Sequence, residues 1–243
     1  MRAFAIDLTA TYPSNRMLTQ CPNPRCKLNF EVPDERQGKN GPCPQCGQVI
    51  TFRSLEIIRE VERQHQLREA KRAASAGGNA SAEVAPYMAL LEDLRSLWNV
   101  GSIFRSADGA GFQRLFLCGI TGCPPNKAIA KTSLGAEDHI AWEHCSSALD
   151  VLPGLAERGV QIVVLESTPG SVDLSEALAA QRVKTPLCLV VGNEVAGVTA
   201  EALSTASITC RLPMHGIKTS LNVAVAFGIA AYQIRERVRA DSV

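Results

Sequence analysis

The clearest hydrophobic pattern lies in the carboxyl-terminal part of the chain. Residues 187–191, LCLVV, are all apolar, which favours a strand buried on both faces of a parallel sheet. Gly192, Asn193 and Glu194 follow this strand at once. Because open α/β sheets bind their ligands at the carboxyl ends of their strands, we expect a binding site here. A second strand is predicted at residues 208–212.

A long apolar helix is predicted at residues 221–234, after the loop that follows Pro213. Ser220 is a candidate cap for its first turn. The helix carries no polar stripe, so we expect every side of it to be covered. In a domain of this size the simplest cover for its second side is another subunit, and we therefore predict a homodimer.

Strands and helices alternate through the hundred or so residues before this region. Apolar runs predict further strands, and segments with helical periodicity predict helices between them. The predicted strands lie at 87–91, 115–118 and 161–165, and the predicted helices at 100–111, 148–158 and 174–178. This alternation predicts an α/β fold, in which helices cover a parallel sheet.

Four cysteines near the amino terminus have the spacing of a metal site. Cys21, Cys26, Cys43 and Cys46 form a C-x4-C-x16-C-x2-C pattern, which predicts two knuckles around one structural zinc ion. Alternating residues at 28–32 and 48–52 predict the short strands of a zinc ribbon. Four thiolates would close the coordination sphere, so the site is not expected to be catalytic. Reduced cysteines in a loop are the alternative.

The sequence leaves the function of this ribbon open. It could bind nucleic acid, bind a protein partner or serve only as a folding unit. Basic and aromatic residues surround it and favour nucleic acid slightly: Arg25, Lys27, Phe30, Arg36, Lys39 and Phe52. The five other cysteines are scattered through apolar segments and are interpreted as buried hydrophobic residues.

The pattern divides the chain into three parts. Residues 1–52 contain the ribbon at 21–52, and residues 1–20 show no period to which a function can be assigned. Residues 53–84 begin as a charged helix and continue as a flexible linker, SAGGNASA, at 75–82. Residues 85–243 form the main α/β domain.

Composition narrows the possible classes of protein. The chain has 243 residues, of which 46% are hydrophobic, so it can bury a core. No run approaches the roughly 18 to 20 apolar residues needed to cross a bilayer, and no secretory signal is visible, so a cytoplasmic protein with no membrane partner is expected. Residues 1–86 carry a charge of +3 and residues 87–243 a charge of −2. Any electrostatic attraction to RNA must therefore be local.

Three stretches resemble the signature motifs of the SpoU (TrmH) class of SPOUT RNA methyltransferases, in the order of that family. They are NVGSIFRSADGAG from residue 99, GNEVAG from residue 192, and RLPM from residue 211 followed by SLNVAVAFGIAAY from residue 220. KTSLGAEDH, at 131–139, is similar to the loop between the family's motifs. The resemblance covers roughly residues 86–236. It implies a SPOUT parallel sheet with covering helices and a C-terminal trefoil knot.

The resemblance also implies an activity, which is S-adenosyl-L-methionine-dependent 2′-O-ribose methylation of structured RNA, either tRNA or rRNA, by a homodimer. The implied catalytic residues are Asn99, Arg105, Glu194, Ser220 and Asn222. The implied cofactor-binding residues are Leu165, Glu166, Val191, Gly192, Leu212, Met214, Ser220 and Leu221. The RNA and the nucleotide that it modifies are left open.

Arg105 receives two interpretations. From the residues alone it is an exposed side chain that pairs with Asp108 three positions later. The resemblance instead places it at the target ribose, where a guanidinium that stays charged suits a grip on the adjacent phosphate better than proton abstraction. Glu194 is expected to orient Asn99 or Arg105. His215 is a less favoured base, because a single loop histidine is more often structural.

A second function, of another class, is a non-catalytic RNA-binding or ribosome-associated protein that keeps the knot as a scaffold. The complete set of catalytic residue types argues against it. Ser220 and Asn222 could also cap the last helix.

Overall fold

The computed structural model describes residues 16–59, 63 and 84–238. The chain separates into two compact units, which divide between Arg59 and Glu60. The linker predicted at 75–82 and most of the charged helix that precedes it lie outside the described residues. Among the residues described, no helix combines the length and the apolar character that a bilayer-spanning segment needs.

The amino-terminal unit is built from two small antiparallel hairpins. Strand β1, Arg16–Gln20, pairs with β2, Asn29–Pro33, and β3, Asn40–Pro42, pairs with β4, Val49–Thr51. β2 and β4 were predicted from alternation, whereas β1 lies in a segment where no period was visible. A helical turn at 55–59 follows the second hairpin.

The core of this unit is small. It contains Met17, Val32, Ile50 and Phe52, together with two of the four clustered cysteines. The ring of Phe30 packs edge-on against that of Phe52, with centroids 6.0 Å apart. A unit of this size buries too little apolar surface to be stable without a cross-link or a metal.

The carboxyl-terminal unit contains a seven-stranded sheet whose neighbouring strands all run parallel, in the order β7-β6-β5-β10-β8-β11-β9. The strands are β5 Tyr87–Glu92, β6 Arg114–Cys118, β7 Ala141–Cys145, β8 Gln161–Leu165, β9 Val172–Asp173, β10 Leu187–Val191 and β11 Ile208–Arg211. The helices are α1 Leu97–Gly109, α2 Lys127–Ser133, α3 Ala136–His139, α4 Leu152–Glu157, α5 Leu174–Ala179, α6 Ala200–Leu203 and α7 Val223–Arg237. The α/β fold with a parallel sheet is confirmed.

The central strand β10 is buried on both faces, as its unbroken apolar run predicts. Leu187, Leu189 and Val191 pack into the core on one face of the sheet, while Cys188 and Val190 pack into the core on the other. Because its side chains alternate between two cores, every residue of the strand has to be apolar. The site therefore stands on a rigid central strand.

Two helices begin at other residues than the pattern predicts. α1 begins at Leu97 instead of after Asn99, because Ser96 caps it by accepting a hydrogen bond from the Asn99 amide at 3.3 Å. α7 begins at Val223, and its cap is Asn222 and not Ser220. The segment 131–139, expected to be a loop, instead forms the end of α2 and the whole of α3.

Helix α7 has two different faces within one chain. The residues that pack into the core are Ala224, Phe227, Ala230, Ala231 and Ile234. The opposite face exposes an apolar stripe of Val225, Ile229 and Tyr232, which are 51%, 39% and 49% exposed. One side of this helix is thus covered within the chain, and cover of the exposed stripe by another subunit stays a prediction.

Candidate active site and candidate metal centre

A cavity of about 490 Å³ opens at the carboxyl ends of β8, β10 and β11. Its volume is in the range of small-molecule sites. The lining contains every residue that the resemblance assigned to the cofactor: Leu165, Glu166, Val191, Gly192, Leu212, Met214, Ser220 and Leu221. Glu194 and Asn222 also line it. Segments that are far apart in the sequence meet here because parallel strands end at one edge of the sheet.

Several lining residues were not singled out from the sequence as binding residues. They are Ser167, Asn193, Val195, Gly197, Arg211, Thr219, Val223 and Ala226. Most are immediate neighbours of the motif residues, so their position in the motifs is the signal that could have found them. Arg211 is already engaged in an ion pair, since its Nε lies 2.8 Å from Asp173 Oδ1.

The loop after β10 is folded so tightly that only glycine fits at two positions. Asn193 and Gly197 exchange backbone hydrogen bonds of 3.0 and 2.9 Å across it. A Cβ atom at Gly192 would lie 2.4 Å from the Gly197 backbone, and Gly197 itself has φ +73°. A side chain at either residue would force the loop to shift.

Two carboxylates hold the far end of this loop. Glu166 accepts a hydrogen bond from the Val198 amide at 2.9 Å. Glu92, only 3% exposed, accepts from the amide of Thr199 at 2.9 Å and from its hydroxyl at 2.7 Å. Sequence reasoning missed Glu92; its signal is an acid that ends an otherwise apolar strand, YMALLE.

A chain of polar side chains runs from the loop after β10 to the last helix. The Glu194 carboxylate accepts hydrogen bonds from the backbone amides of Arg95 and Ser96 and from Asn99 Nδ2, each 3.0 Å long. Asn99 Oδ1 in turn accepts from Asn222 Nδ2 at 3.1 Å. Asn222 Oδ1 completes the chain by accepting from the first amides of α7, at 2.9 and 3.3 Å.

The direction of every bond in this chain is determined. A carboxylate only accepts, so the Asn99 amide must turn its nitrogen to Glu194 and its oxygen to Asn222. Asn222 must then donate to Asn99 and turn its own oxygen to the amides of α7. Each asparagine keeps one further N–H hydrogen for a ligand.

Glu194 is ionised in this arrangement. Partial burial alone would raise the pKa of its carboxyl group. The hydrogen bonds from the Arg95 amide, the Asn99 side chain and the Ser96 amide outweigh that effect, and the pKa of Glu194 is lowered. The carboxylate also lies at the amino terminus of α1, where negative charge is favourable.

Three sequence candidates lie outside this polar chain. Arg105 is exposed on α1 and does not line the cavity; six residues from Asn99 correspond to about 9 Å along a helix and about 120° around it. Within the described residues it forms no ion pair, so the alternative pairing with Asp108 is wrong. Ser220 lines the cavity without capping α7, and His215 is exposed beside it.

The four amino-terminal cysteines converge on one point. Their sulfur atoms all lie within 4.8 Å of one another, with Cys21 and Cys46 at 3.7 Å and Cys26 and Cys43 also at 3.7 Å. A tetrahedral zinc ion with Zn–S bonds of about 2.3 Å places its sulfurs about 3.8 Å apart. The donor set therefore fits zinc in both chemistry and spacing.

The surroundings of Cys43 favour a thiolate. Its burial opposes ionisation, but the backbone amides of Cys46 and Gln45 donate to its sulfur and lower its pKa to about 7. Amides that face the sulfur are a feature of metal-binding knuckles, because the ligand has to be deprotonated.

Comparison with known proteins places the carboxyl-terminal unit in a family. The chain is 30% identical, over 63% of its length, to the 23S rRNA (guanosine-2′-O-)-methyltransferase RlmB of Pseudomonas aeruginosa, of which the match covers 59%. It is 31% identical, over 60% of its length, to the uncharacterized tRNA/rRNA methyltransferase Rv0881 of Mycobacterium tuberculosis, of which the match covers 50%. The chain thus spans between half and three fifths of these relatives.

The fold matches solved structures of the same class. The SpoU methyltransferase AviRb from Streptomyces viridochromogenes, in complex with AdoMet, superposes with a TM-score of 0.57 at 23% identity, over 64% of this chain and 62% of that one. The SpoU rRNA Methylase family matches residues 86–232, which contain the whole sheet and the cavity. This chain belongs to the SpoU rRNA Methylase family.

Proposed function

We propose that this chain is an S-adenosyl-L-methionine-dependent methyltransferase that modifies ribose 2′-hydroxyl groups of RNA. The observation that carries the proposal is the hydrogen-bonded chain of Glu194, Asn99 and Asn222 at the cavity. The names of its relatives, which include an rRNA guanosine-2′-O-methyltransferase, support RNA as the substrate. The labelling experiment with total RNA, described below, distinguishes a tRNA substrate from an rRNA substrate.

The cavity suits the cofactor. Its apolar walls, which include Leu165, Val191 and Leu212, can seat an adenosine, while the loop after β10 offers backbone groups that bind polar atoms. When bound there, S-adenosylmethionine supplies a methyl group activated by a positively charged sulfur. The trefoil knot implied by the family resemblance would wrap the chain between β11 and α7 around this site.

The polar chain would position the reacting oxygen. Asn99 and Asn222 each retain one N–H donor with a fixed direction, and two fixed donors can hold a ribose oxygen and stabilise the negative charge that develops on it. The lowered pKa of Glu194 makes it a weak base. We therefore assign Glu194 the task of orienting the asparagines, while the proton leaves through water or a phosphate oxygen.

Arg105 and the exposed stripe on α7 support a homodimer. Gly109 of α1 lies beside the hydroxyl of Tyr232 in this stripe, and Arg105 shares a helix face with Gly109, four residues later. A second copy that covers the stripe would also reach Arg105. We propose that Arg105 grips an RNA phosphate at the cavity of that second copy, which explains its absence from the cavity of its own chain.

The amino-terminal unit is proposed to hold one structural zinc ion through Cys21, Cys26, Cys43 and Cys46. The metal would supply stability that the small hydrophobic core of this unit cannot provide. As a zinc ribbon it would assist in the recognition of RNA. Removing residues 1–84 should then weaken RNA binding but leave cofactor binding unchanged; a truncated protein that binds RNA as tightly as the full chain would contradict this role.

The function is tested by transfer of labelled methyl groups to total RNA from cells that lack this gene. Wild-type protein should label the RNA, and Asn222→Ala should lose most of this activity. Asn126→Ala is the matched control, because Asn126 caps α2 in the same way, with its Oδ1 2.9 Å from the Ala128 amide. Cofactor binding without any transfer would favour the non-catalytic scaffold instead.

A further inference from the structure

A tryptophan stands half exposed beside the proposed reaction site. Trp98 is 51% exposed and directly precedes Asn99 in the first turn of α1. Large aromatic side chains are rarely left in solvent without a partner, since an indole ring loses favourable apolar burial there. The ring is not part of the hydrophobic core and does not line the cavity.

The ring is held in a defined position. The backbone carbonyl of Trp98 accepts a hydrogen bond from Thr132 Oγ1 at 3.1 Å. The Lys131 ammonium lies 5.6 Å from the ring centroid, within the range of a cation–π contact. α1 and α2 approach closely at this point because Gly101 has no side chain. A Cβ atom there would collide with Ile129 and Thr132.

Lys131, which contacts the ring, has a further exposed cation near it in the sequence, and so does Trp98 itself. Lys131 and Lys127 are both exposed and lie one turn apart on the same side of α2. Arg95, also exposed, precedes the first turn of α1. An aromatic ring among cations is the arrangement with which proteins bind unpaired nucleotides, since the ring stacks on the base and the cations contact the phosphates.

We infer that Trp98 is a stacking platform for an unpaired base of the RNA substrate, next to the nucleotide whose ribose is methylated. Lys131 and Lys127 hold the phosphates of the same strand. This inference rests on the proposed function and adds to it the class of substrate, because a base that stacks on Trp98 has to leave its helix. The substrate site is therefore a loop, a bulge or a single-stranded end.

The two tryptophans of the chain allow a direct test. Trp142 packs against the core, and the variant Trp142→Phe leaves Trp98 as the only tryptophan. A twelve-nucleotide single-stranded RNA of mixed sequence, titrated without cofactor, should quench the fluorescence of Trp98 to saturation. A blunt RNA duplex of the same sequence should quench it much less.

Substitution gives a second, independent measurement. In the full chain, Trp98→Ala should weaken binding of the single-stranded RNA by about 5- to 100-fold, whereas Trp98→Tyr, which keeps an aromatic face, should stay within about threefold of wild type. Lys131→Ala should lower the salt dependence of binding by about one phosphate contact. Lys184→Ala is the control, since Lys184 is an exposed lysine elsewhere.

The results separate this inference from the proposed function. Quenching and the loss in Trp98→Ala do not require methyl transfer, so they can occur even in a protein that proves to be a scaffold. Absence of quenching, or wild-type RNA affinity in Trp98→Ala, would overturn the inference. A shift of Trp98→Ala from dimer to monomer would also overturn it, because Trp98 would then belong to an interface between copies.

Discussion

The substitution Glu194→Gln tests the polar chain most sharply, because it changes one atom. The carboxylate accepts three hydrogen bonds, from the amides of Arg95 and Ser96 and from Asn99 Nδ2. The glutamine oxygen can keep the bonds to Ser96 and Asn99, but its NH₂ group then faces the N–H of Arg95. One bond is lost and two lose the strength that the charge gave them.

The cost in stability should be small. A lost hydrogen bond costs about 1 kcal/mol, and exposure of the Glu194 side chain to solvent reduces the electrostatic part of it. For a protein of this size a loss of about 1 kcal/mol lowers the melting temperature by roughly 2–4 °C. The effect on catalysis should be much larger, about 100-fold in kcat/KM, since the weaker, uncharged bond to Asn99 holds Asn99 and Asn222 less firmly in their directions.

The assay compares three quantities in Glu194→Gln and in the control Glu157→Gln, an exposed glutamate outside the chain of polar side chains. These are the melting temperature, the cofactor Kd by calorimetry and the initial rate of methyl transfer to total RNA. We expect a low rate with a nearly unchanged Kd in Glu194→Gln and wild-type behaviour in the control. A rate within twofold of wild type would refute the positioning role.

The pH dependence of stability gives a second readout of the same residue. Because the folded-state pKa of Glu194 lies below its ordinary value, its contribution is present above the ordinary carboxyl pKa. It is lost as the pH falls through the lowered folded-state pKa. The stability difference between wild type and Glu194→Gln should therefore shrink as the solution is acidified, and a constant difference would contradict the assignment.

Three other features of the molecule can be tested by substitution. Elemental analysis should find one zinc per chain, and Cys43→Ser should lose the metal without changing the cofactor Kd; a full zinc content in that variant would contradict the four-cysteine site. Gly197→Ala should raise the cofactor Kd at least about tenfold, because φ is +73° and Glu166 blocks the added methyl, whereas Gly154→Ala, with open space around it, should not. Mixing inactive Arg105→Ala and Asn222→Ala subunits should restore about a quarter of wild-type activity if each site uses both copies of a dimer; no recovery after verified subunit exchange would place Arg105 in its own chain's site.

The main strands of the sheet could be predicted because their patterns are local. Leu187–Val191 and Gln161–Leu165 have the predicted bounds, since a buried parallel strand leaves an unbroken apolar run. β1 was missed because its burial alternates but its polarity does not follow: Leu18 is exposed and Thr19 is buried. Helix starts were predicted too late or too early because Ser, Asn and Asp caps compete within a few residues, and tertiary contacts decide between them.

The candidate site could be predicted only in part for a similar reason. The resemblance named the cavity residues, but the meeting of Glu194, Asn99 and Asn222 in one hydrogen-bonded series depends on strand order, which periodicity does not contain. Glu92 carried only the signal of an acid at the end of an apolar strand, because its partner Thr199 is 107 residues away. Trp98 directly precedes a motif, yet its exposure follows from the packing of α1 on α2 and not from its neighbours in the sequence.

The fate of the label decides whether the ribose 2′-oxygen receives the methyl group. RNA methylated with labelled S-adenosylmethionine is digested with alkali, which cleaves only next to a free 2′-hydroxyl. We predict that the label is found in alkali-resistant dinucleotides and, by mass spectrometry, in 2′-O-methylated nucleosides. Label on a base, released in mononucleotides, would contradict the proposed reaction.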